Sequence, residues 1–167
     1  EKGLGAQQML SAAGDGKLKA LFLIGEDPVT SFPNRALVEK ALDNSFLIAQ
    51  DLFLTESAKK ADVIFPAASF AEKDGTFTNA ERRIQKLHVG IKSPGEAKTD
   101  FAILQLLLKE LGVSAPATPA DAFKAIAAET AGYEMVTLDM VGPHGYVWGS
   151  DNLAVEVYDR VRFRFVV

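Results

Sequence analysis

The sequence predicts an α/β fold with a three-layer α/β/α arrangement around a doubly wound parallel sheet. Three short apolar runs, Ala20–Ile24, Phe46–Ala49 and Val63–Phe65, predict the strands. Helical patterns with short connections separate these runs, and that alternation is typical of right-handed parallel crossovers. Because the first run is apolar without interruption, we expect its strand to be buried on both faces of the sheet.

The segments around these strands predict three helices in the first half of the chain. One covers residues 6–13 and ends at Gly14. A second begins after the capping residue Asn34 and ends near Asn44, with its apolar residues on one face. A third is short and runs from its cap Thr55 to Lys60.

The second half of the chain predicts two longer helices after a strand or extended segment over residues 83–89. Thr99 begins an amphipathic helix with a leucine-rich inner face, which ends at Gly112. Thr118 caps the next helix, which runs to Gly132 and has a proline at the favoured first position.

Helical periodicity fades beyond Tyr133. Apolar residues alternate with arginines over residues 161–167, which predicts an edge strand. We expect the tail from Tyr146 to Val167 either to pack back as an added edge strand or to pair with another copy of the chain. We therefore divide the chain into an α/β domain over residues 1–132 and a turn-rich C-terminal extension over residues 133–167 with a candidate edge strand.

Composition excludes several classes of function. The formal net charge of −4 gives no basic footprint for nucleic acid. The chain has no cysteine, which excludes disulfides, thiolate metal sites and an iron–sulfur cluster held by this chain itself. Its two histidines lie far apart in the sequence, and no apolar run approaches the roughly 20 residues of a membrane span. We assign no catalytic residue and no metal ligand.

The first candidate binding residues, Gly25, Glu26 and Asp27, directly follow the first predicted strand. Glycine permits close approach of the backbone to a ligand, and acidic side chains accept hydrogen bonds from ribose hydroxyls or a base amino group. The alternative is a plain strand-to-helix turn in which Asp27 and Pro28 serve turn geometry. Both interpretations stay open from the residues alone.

Asp51 is the candidate at the end of the second strand. A carboxylate there can accept two N–H groups of a guanine in a bidentate arrangement. The alternative is that Asp51 caps the turn over residues 52–54. A third candidate group, Asp74, Gly75 and Asn79, lies in what the sequence predicts to be a long polar turn over residues 72–79, after Pro66 stops the third strand.

One long segment carries a resemblance to a known family. Residues 61–85 read ADVIFPAASFAEKDGTFTNAERRIQ, and residues 92–101 continue with KSPGEAKTDF. Together with the turn at residues 25–28, they resemble the molybdopterin oxidoreductase superfamily. That superfamily includes formate dehydrogenases, nitrate reductases and the large iron–sulfur subunit of NADH-quinone oxidoreductase, respiratory complex I. The similarity extends over residues 18–111, so we expect this chain to be a partial domain of a larger polypeptide.

The resemblance implies roles for the candidate residues. In the family, the turn that corresponds to Gly25–Pro28 lies against the nucleotide part of a pterin cofactor, and an acidic residue at the place of Asp51 would hold the guanine. It also implies iron–sulfur clusters elsewhere in the parent protein and, in a formate dehydrogenase-type parent, molybdopterin guanine dinucleotide. We expect no cofactor to be held by this segment alone.

Within the superfamily, the residues favour the large iron–sulfur subunit of complex I. The AERRIQ form of residues 80–85 and Phe101, where formate dehydrogenases often have tryptophan, indicate this choice. It implies a structural domain that supports electron transfer from NADH to quinone, at the cytoplasmic side and peripheral to the inner membrane. The partners would be the remaining domains of the parent and other subunits of the complex. The alternative is a cofactor-cradling domain of a molybdopterin-dependent formate dehydrogenase-type oxidoreductase.

Overall fold

A computed structural model describes residues 3–148, which divide into two compact units. The residues up to Ser69, together with Lys92–Leu107, form the first unit. Phe70–Ile91 and the residues from Leu108 onward form the second. The predicted division of the chain at residue 132 does not coincide with these units and stays a prediction.

The first unit contains a three-stranded parallel sheet of β1 (Ala20–Ile24), β2 (Phe46–Asp51) and β3 (Val63–Pro66), with β2 in the centre. The predicted α/β fold with a parallel sheet is confirmed. β2 is two residues longer than predicted, so Gln50 and Asp51 belong to the strand itself. Pro66 is the last residue of β3, and its carbonyl accepts a hydrogen bond from Lys98 N at 3.1 Å.

Four helices belong wholly or partly to the first unit: α1 (Ala6–Gly14), α2 (Pro28–Ser31), α3 (Arg35–Asp43) and the start of α4 (Asp100–Glu110). The predicted cap of α3 is confirmed, because Asn34 Oδ1 accepts a hydrogen bond from Leu37 N at 3.0 Å.

Two short helical segments differ from the sequence analysis. The segment after Thr55 is a 3₁₀ turn over Ala58–Lys60, and Thr55 Oγ1 accepts from Ala58 N at 3.1 Å as predicted. α2 is one turn that was not predicted; Pro28 occupies its first position, where no N–H is needed.

The core of the first unit lies on one face of the sheet. Leu21 and Leu23 of β1 and Leu47 of β2 pack against apolar side chains of α1 and α3. The buried members of this cluster are Leu10, Ala13, Val29, Val38, Ala41, Leu42 and Leu47.

The expectation that β1 is buried on both faces is wrong. Phe22 and Ile24 are 38% and 44% exposed, and Phe46 of β2 is 50% exposed. Successive side chains of a strand point to opposite faces, so these residues lie on the face away from Leu21 and Leu23. The helices α1 and α3 cover only the latter face.

The second unit contains an antiparallel sheet of β4 (Gly75–Thr78), β5 (Arg83–Leu87) and β6 (Tyr146–Val147), with β5 in the centre. α5 (Pro119–Glu129) belongs to this unit and has the predicted cap: Thr118 Oγ1 accepts from Asp121 N at 3.1 Å. Ile84 is fully buried in its core, among the side chains of Phe123, Ala127, Tyr133, Val136 and Val141.

The prediction of a long polar turn over residues 72–79 is wrong for residues 75–78. Residues 75–78 form β4, which pairs with β5 from Gly75 opposite Leu87 to Thr78 opposite Ile84. The reversal comes later, at residues 79–82, where Arg82 has a φ of +62° and its N–H donates to Asn79 O at 3.0 Å.

The predicted edge strand over residues 161–167 lies outside the described residues, as does most of the tail proposed to self-associate. Among the helices of residues 3–148, none combines the length and the apolar character needed to cross a membrane.

Candidate functional site

Gly25 ends β1 with an open backbone surface. Its N–H donates to Gln50 O at 2.8 Å, which continues the pairing of β1 with β2. Its φ of +63° is in the region that favours glycine, and a methyl group built at its Cα would find no atom within 4 Å. The sequence prediction that a ligand can approach this backbone closely is consistent with that open space.

Glu26 and Asp27 behave differently although they are adjacent. Glu26 is exposed, and its carboxylate has no hydrogen-bond partner among residues 3–148. Asp27 is partly buried, and both of its carboxylate oxygens are engaged. Oδ1 accepts from Ser57 Oγ at 2.5 Å and Ser57 N at 3.0 Å, and Oδ2 accepts from Thr30 Oγ1 at 2.6 Å.

These bonds keep Asp27 ionised. Burial of the carboxyl acts to raise the pKa of Asp27, but the hydrogen bonds from the Ser57 and Thr30 side chains and from backbone N–H groups outweigh it, so the pKa lies below its ordinary 3.8. The turn interpretation therefore describes what Asp27 does within this chain, and its predicted contact with a ligand stays a prediction.

Asp51 caps the turn after β2 and retains one free oxygen. Its Oδ1 accepts from Leu52 N at 2.7 Å and from Phe53 N at 3.3 Å, as the capping alternative predicted. Within residues 3–148, the Oδ2 oxygen has no partner. Asp51 can therefore cap its own turn and still accept one hydrogen bond from a ligand.

Gln50, beside Asp51, is buried at 1% exposure. Its Nε2 donates to Asp100 Oδ1 at 2.7 Å, while its Oε1 has no hydrogen-bond partner among the described residues. This contact joins the end of the central strand to the first residue of α4.

The third predicted group lies in the second unit. Asp74 Oδ1 accepts from Val89 N at 3.1 Å, and Gly75 begins β4. Both residues line a cavity of about 400 Å³, together with Lys86, His88, Thr118 and Asp139 among others.

Asn79 does not line that cavity. Its Oδ1 accepts from Glu81 N at 2.9 Å and Arg83 N at 3.0 Å, so its side chain organises the reversal between β4 and β5.

The structure thus places the predicted residues in two groups. Gly25, Glu26 and Asp27 adjoin Asp51 at the carboxyl edge of the parallel sheet, because β1 and β2 pair in parallel up to Ile24 and Gln50. Asp74, Gly75 and Asn79 belong to the second unit. No group of three or more histidine, aspartate or glutamate side chains suited to a metal ion occurs within residues 3–148.

Ser57 is a residue of this edge that was not among the predicted site residues. Its side chain is fully buried and is the partner of Asp27, 30 residues earlier. Its only local signal is its place two residues after the cap Thr55, which does not identify a distant partner. At the carboxyl edge of the parallel sheet, the carboxylates of Glu26 and Asp51 can accept hydrogen bonds from N–H and O–H groups of a polar heterocycle or sugar. The open backbone of Gly25 lies beside them.

Comparison with known proteins agrees with the resemblance. The profile of the molybdopterin oxidoreductase family matches residues 1–110. The chain is 43% identical over 150 residues to F420-dependent formate dehydrogenase 1 subunit alpha of Methanococcus maripaludis, covering 87% of this chain and 22% of that protein. It is 38% identical over 151 residues to the putative formate dehydrogenase YrhE of Bacillus subtilis, covering 89% of this chain and 15% of that protein.

A solved structure shares the fold. Acetylene hydratase from Pelobacter acetylenicus superposes with a TM-score of 0.66 over 84% of this chain and 20% of its own, at 17% identity. The chain spans less than a quarter of the length of each of these three proteins. With its family profile matched over most of its length, this chain belongs to the molybdopterin oxidoreductase family.

Proposed function

We propose that this chain is part of the cofactor-binding region of a molybdopterin-dependent oxidoreductase of the formate dehydrogenase type. Similarity to formate dehydrogenase alpha subunits from Methanococcus maripaludis and to YrhE supports the choice of formate as substrate of the parent protein. The proposed role of this chain is to bind and orient the cofactor.

The main support for this proposal is the set of residues at the carboxyl edge of the parallel sheet. In open α/β sheets, ligands bind outside the carboxyl ends of the strands. There this chain has an unobstructed glycine, Gly25, beside two carboxylates with free oxygens, Glu26 and Asp51. Guanine and pterin both present a neighbouring amino and imino N–H, so carboxylate acceptors suit either end of a pterin guanine dinucleotide.

The hydrogen bonds of Asp51 leave one carboxylate oxygen, rather than two, for the proposed contact with a base. A bidentate grip on guanine needs both carboxylate oxygens, but Oδ1 already accepts two backbone N–H groups. We therefore propose that Oδ2 alone accepts one N–H of the base. Glu26, exposed and without a partner among the described residues, is the proposed acceptor for a second N–H or a ribose hydroxyl.

When bound, the molybdenum cofactor would supply the two-electron chemistry of substrate oxidation. The residues of this chain hold the organic part of the cofactor, and none is assigned a proton-transfer step. Asp74, Gly75 and Asn79 stay a proposed second set of cofactor contacts. The cavity that Asp74 and Gly75 line supports these two residues, but Asn79 does not line it.

The choice of the large iron–sulfur subunit of complex I stays a prediction that rests on residues 80–85 and Phe101. The names of the relatives described above favour the formate dehydrogenase alternative. Partner subunits are proposed in either case, because the relative from Methanococcus maripaludis is named as a subunit alpha. The cytoplasmic, membrane-peripheral location belongs to the complex I interpretation.

Calorimetric titration with guanosine diphosphate tests the proposed nucleotide contact. Asp51→Asn keeps an amide oxygen for the turn and replaces the free acceptor with an N–H donor. We expect it to weaken binding by about 10-fold or more, since a hydrogen bond to a charged group contributes about 1.5–3 kcal/mol. Asp15→Asn, on the exposed C-cap of α1, is the matched control and should leave the affinity unchanged. Equal affinities of all three proteins would remove Asp51 from the site.

A further inference from the structure

Asp27 and Ser57 join two loops that the sequence separates by 30 residues. Asp27 belongs to the loop that follows β1, and Ser57 belongs to the loop that follows β2. Three hydrogen bonds make the link: Ser57 Oγ and N both donate to Asp27 Oδ1, and Val29 N donates to Ser57 Oγ at 3.0 Å.

The Ser57 side of the link is buried, and the Asp27 side is partly buried. Ser57 is fully buried, and its hydroxyl both donates and accepts a hydrogen bond. The second oxygen of Asp27 accepts from Thr30 Oγ1, so the carboxylate is committed on both sides. A carboxylate held in this way is better suited to fixing the positions of neighbouring residues than to binding a ligand directly.

The neighbours are the residues of the proposed cofactor edge. Gly25 and Glu26 directly precede Asp27 in the first loop. Asp51 is the last residue of β2, and the second loop that follows it reaches Ser57 six residues later. Two contacts therefore fix the distance between Gly25 and Glu26 on one side and Asp51 on the other. The first is the pairing of β1 with β2, and the second is the Asp27–Ser57 link between the two loops.

We infer that Asp27 is a positioning residue: through Ser57, it holds Gly25 and Glu26 at the distance from Asp51 that a bound nucleotide requires. This inference rests on the proposed function. Without the link, the two loops would have to be ordered at the moment of binding, and that ordering would reduce the affinity.

The competing role is direct contact of the Asp27 charge with the ligand. Asp27→Asn separates the two, because an asparagine can keep the geometry without the charge. Its Oδ1 can accept both bonds from Ser57, and its Nδ2 can donate to the Thr30 hydroxyl. If Asp27 acts by positioning its neighbours, asparagine should preserve its function. If the Asp27 charge contacts the ligand, asparagine should not.

Amide hydrogen exchange measured by NMR on the ligand-free chain is the first readout. In Asp27→Ala and Ser57→Ala, we expect exchange at Val29 and over residues 52–57 to rise by about 10-fold or more, because a hydrogen bond that joins the two loops is lost and a buried partner is left unsatisfied. Asp27→Asn and the control Asp15→Asn should stay close to the unmodified chain. The amides of Val38 and Leu42 in α3 report whether each variant is folded.

Ser57→Ala changes little volume, so it keeps the test valid if Asp27→Ala does not fold. Unchanged exchange in folded Asp27→Ala or Ser57→Ala would overturn the inference. So would exchange in Asp27→Asn as fast as in Asp27→Ala.

Affinity for guanosine diphosphate is the second readout. We expect Asp27→Ala and Ser57→Ala to bind about 10-fold or more weakly, for the same lost bond, and Asp27→Asn to retain near-normal affinity. Loss of affinity in Asp27→Asn with normal exchange would assign Asp27 to direct contact and overturn its positioning role. If the unmodified chain binds no guanosine diphosphate, the proposed function fails for this chain, while the exchange data still decide whether Asp27 orders the two loops.

Discussion

The buried amide of Gln50 donates to Asp100 Oδ1 at 2.7 Å and so ties the end of the central strand to the beginning of α4. Because Gln50 is 1% exposed, water cannot replace this bond if it is broken. The contact joins two elements that are 50 residues apart in the sequence, on the strand that also carries Asp51.

Gln50→Glu is expected to destabilise the chain strongly at pH 7. It would place a second carboxylate against that of Asp100 in a buried position, and an uncompensated buried charge costs about 3–5 kcal/mol. Urea unfolding at pH 7 measures the loss. Gln85→Glu, at an exposed position of β5, is the matched control and should have little effect. A Gln50→Glu protein as stable as the control would show that the Gln50–Asp100 contact is not buried in solution.

Asp27 should make the stability depend on pH in the acid range. Its pKa is lowered in the folded chain, so folding favours the ionised carboxylate. The stabilisation is fully present above the unfolded pKa, about 3.9, and is lost as the pH falls through the lower folded value.

We therefore expect the free-energy difference between the unmodified chain and Asp27→Asn to be constant near neutral pH and to shrink below about pH 4. Urea unfolding curves of the two proteins over this pH range measure the difference. A difference that is equally large at neutral and at strongly acidic pH would contradict the ionised link to Ser57.

Gly25→Ala should cost stability through backbone strain alone. The φ of +63° at Gly25 disfavours a side chain by about 1–2 kcal/mol, although the surrounding space is open. Gly142→Ala is the control, since Gly142 also has open space around it but no positive φ. Thermal unfolding should separate the two variants. Equal stabilities would show that Gly25 does not adopt this conformation in solution.

Local signals were enough to predict the strands of the first unit and two of its capping residues. The three apolar runs and the caps Asn34 and Thr55 act through neighbours close in sequence, and the structure contains them as strands and caps. The burial of β1 was overestimated. An apolar run shows only that both faces of a strand can be buried, and whether they are depends on which other segments pack against them. Phe22 is consequently more exposed than its residue type suggested.

The polar segment around Thr76 and Thr78 was harder to predict. Its residues resemble a loop in composition, and only pairing with β5 makes β4 a strand. The positions of Gly25 and Asp51 at the ends of strands could be predicted from the apolar runs, while their contact with a ligand stays a prediction. The link from Asp27 to Ser57 could not, since neither residue has a sequence signal that identifies a partner 30 positions away.

On the proposed function, the parent protein holds a pterin guanine dinucleotide against the strand ends that carry Gly25, Glu26 and Asp51. The most direct measurement uses the full-length parent, with guanine nucleotide released by acid and molybdenum both quantified per polypeptide. We predict stoichiometric guanine nucleotide with molybdenum, and a clear loss of both in Asp51→Ala but not in Asp15→Asn. A parent that is folded and contains neither guanine nucleotide nor molybdenum would contradict the proposed function.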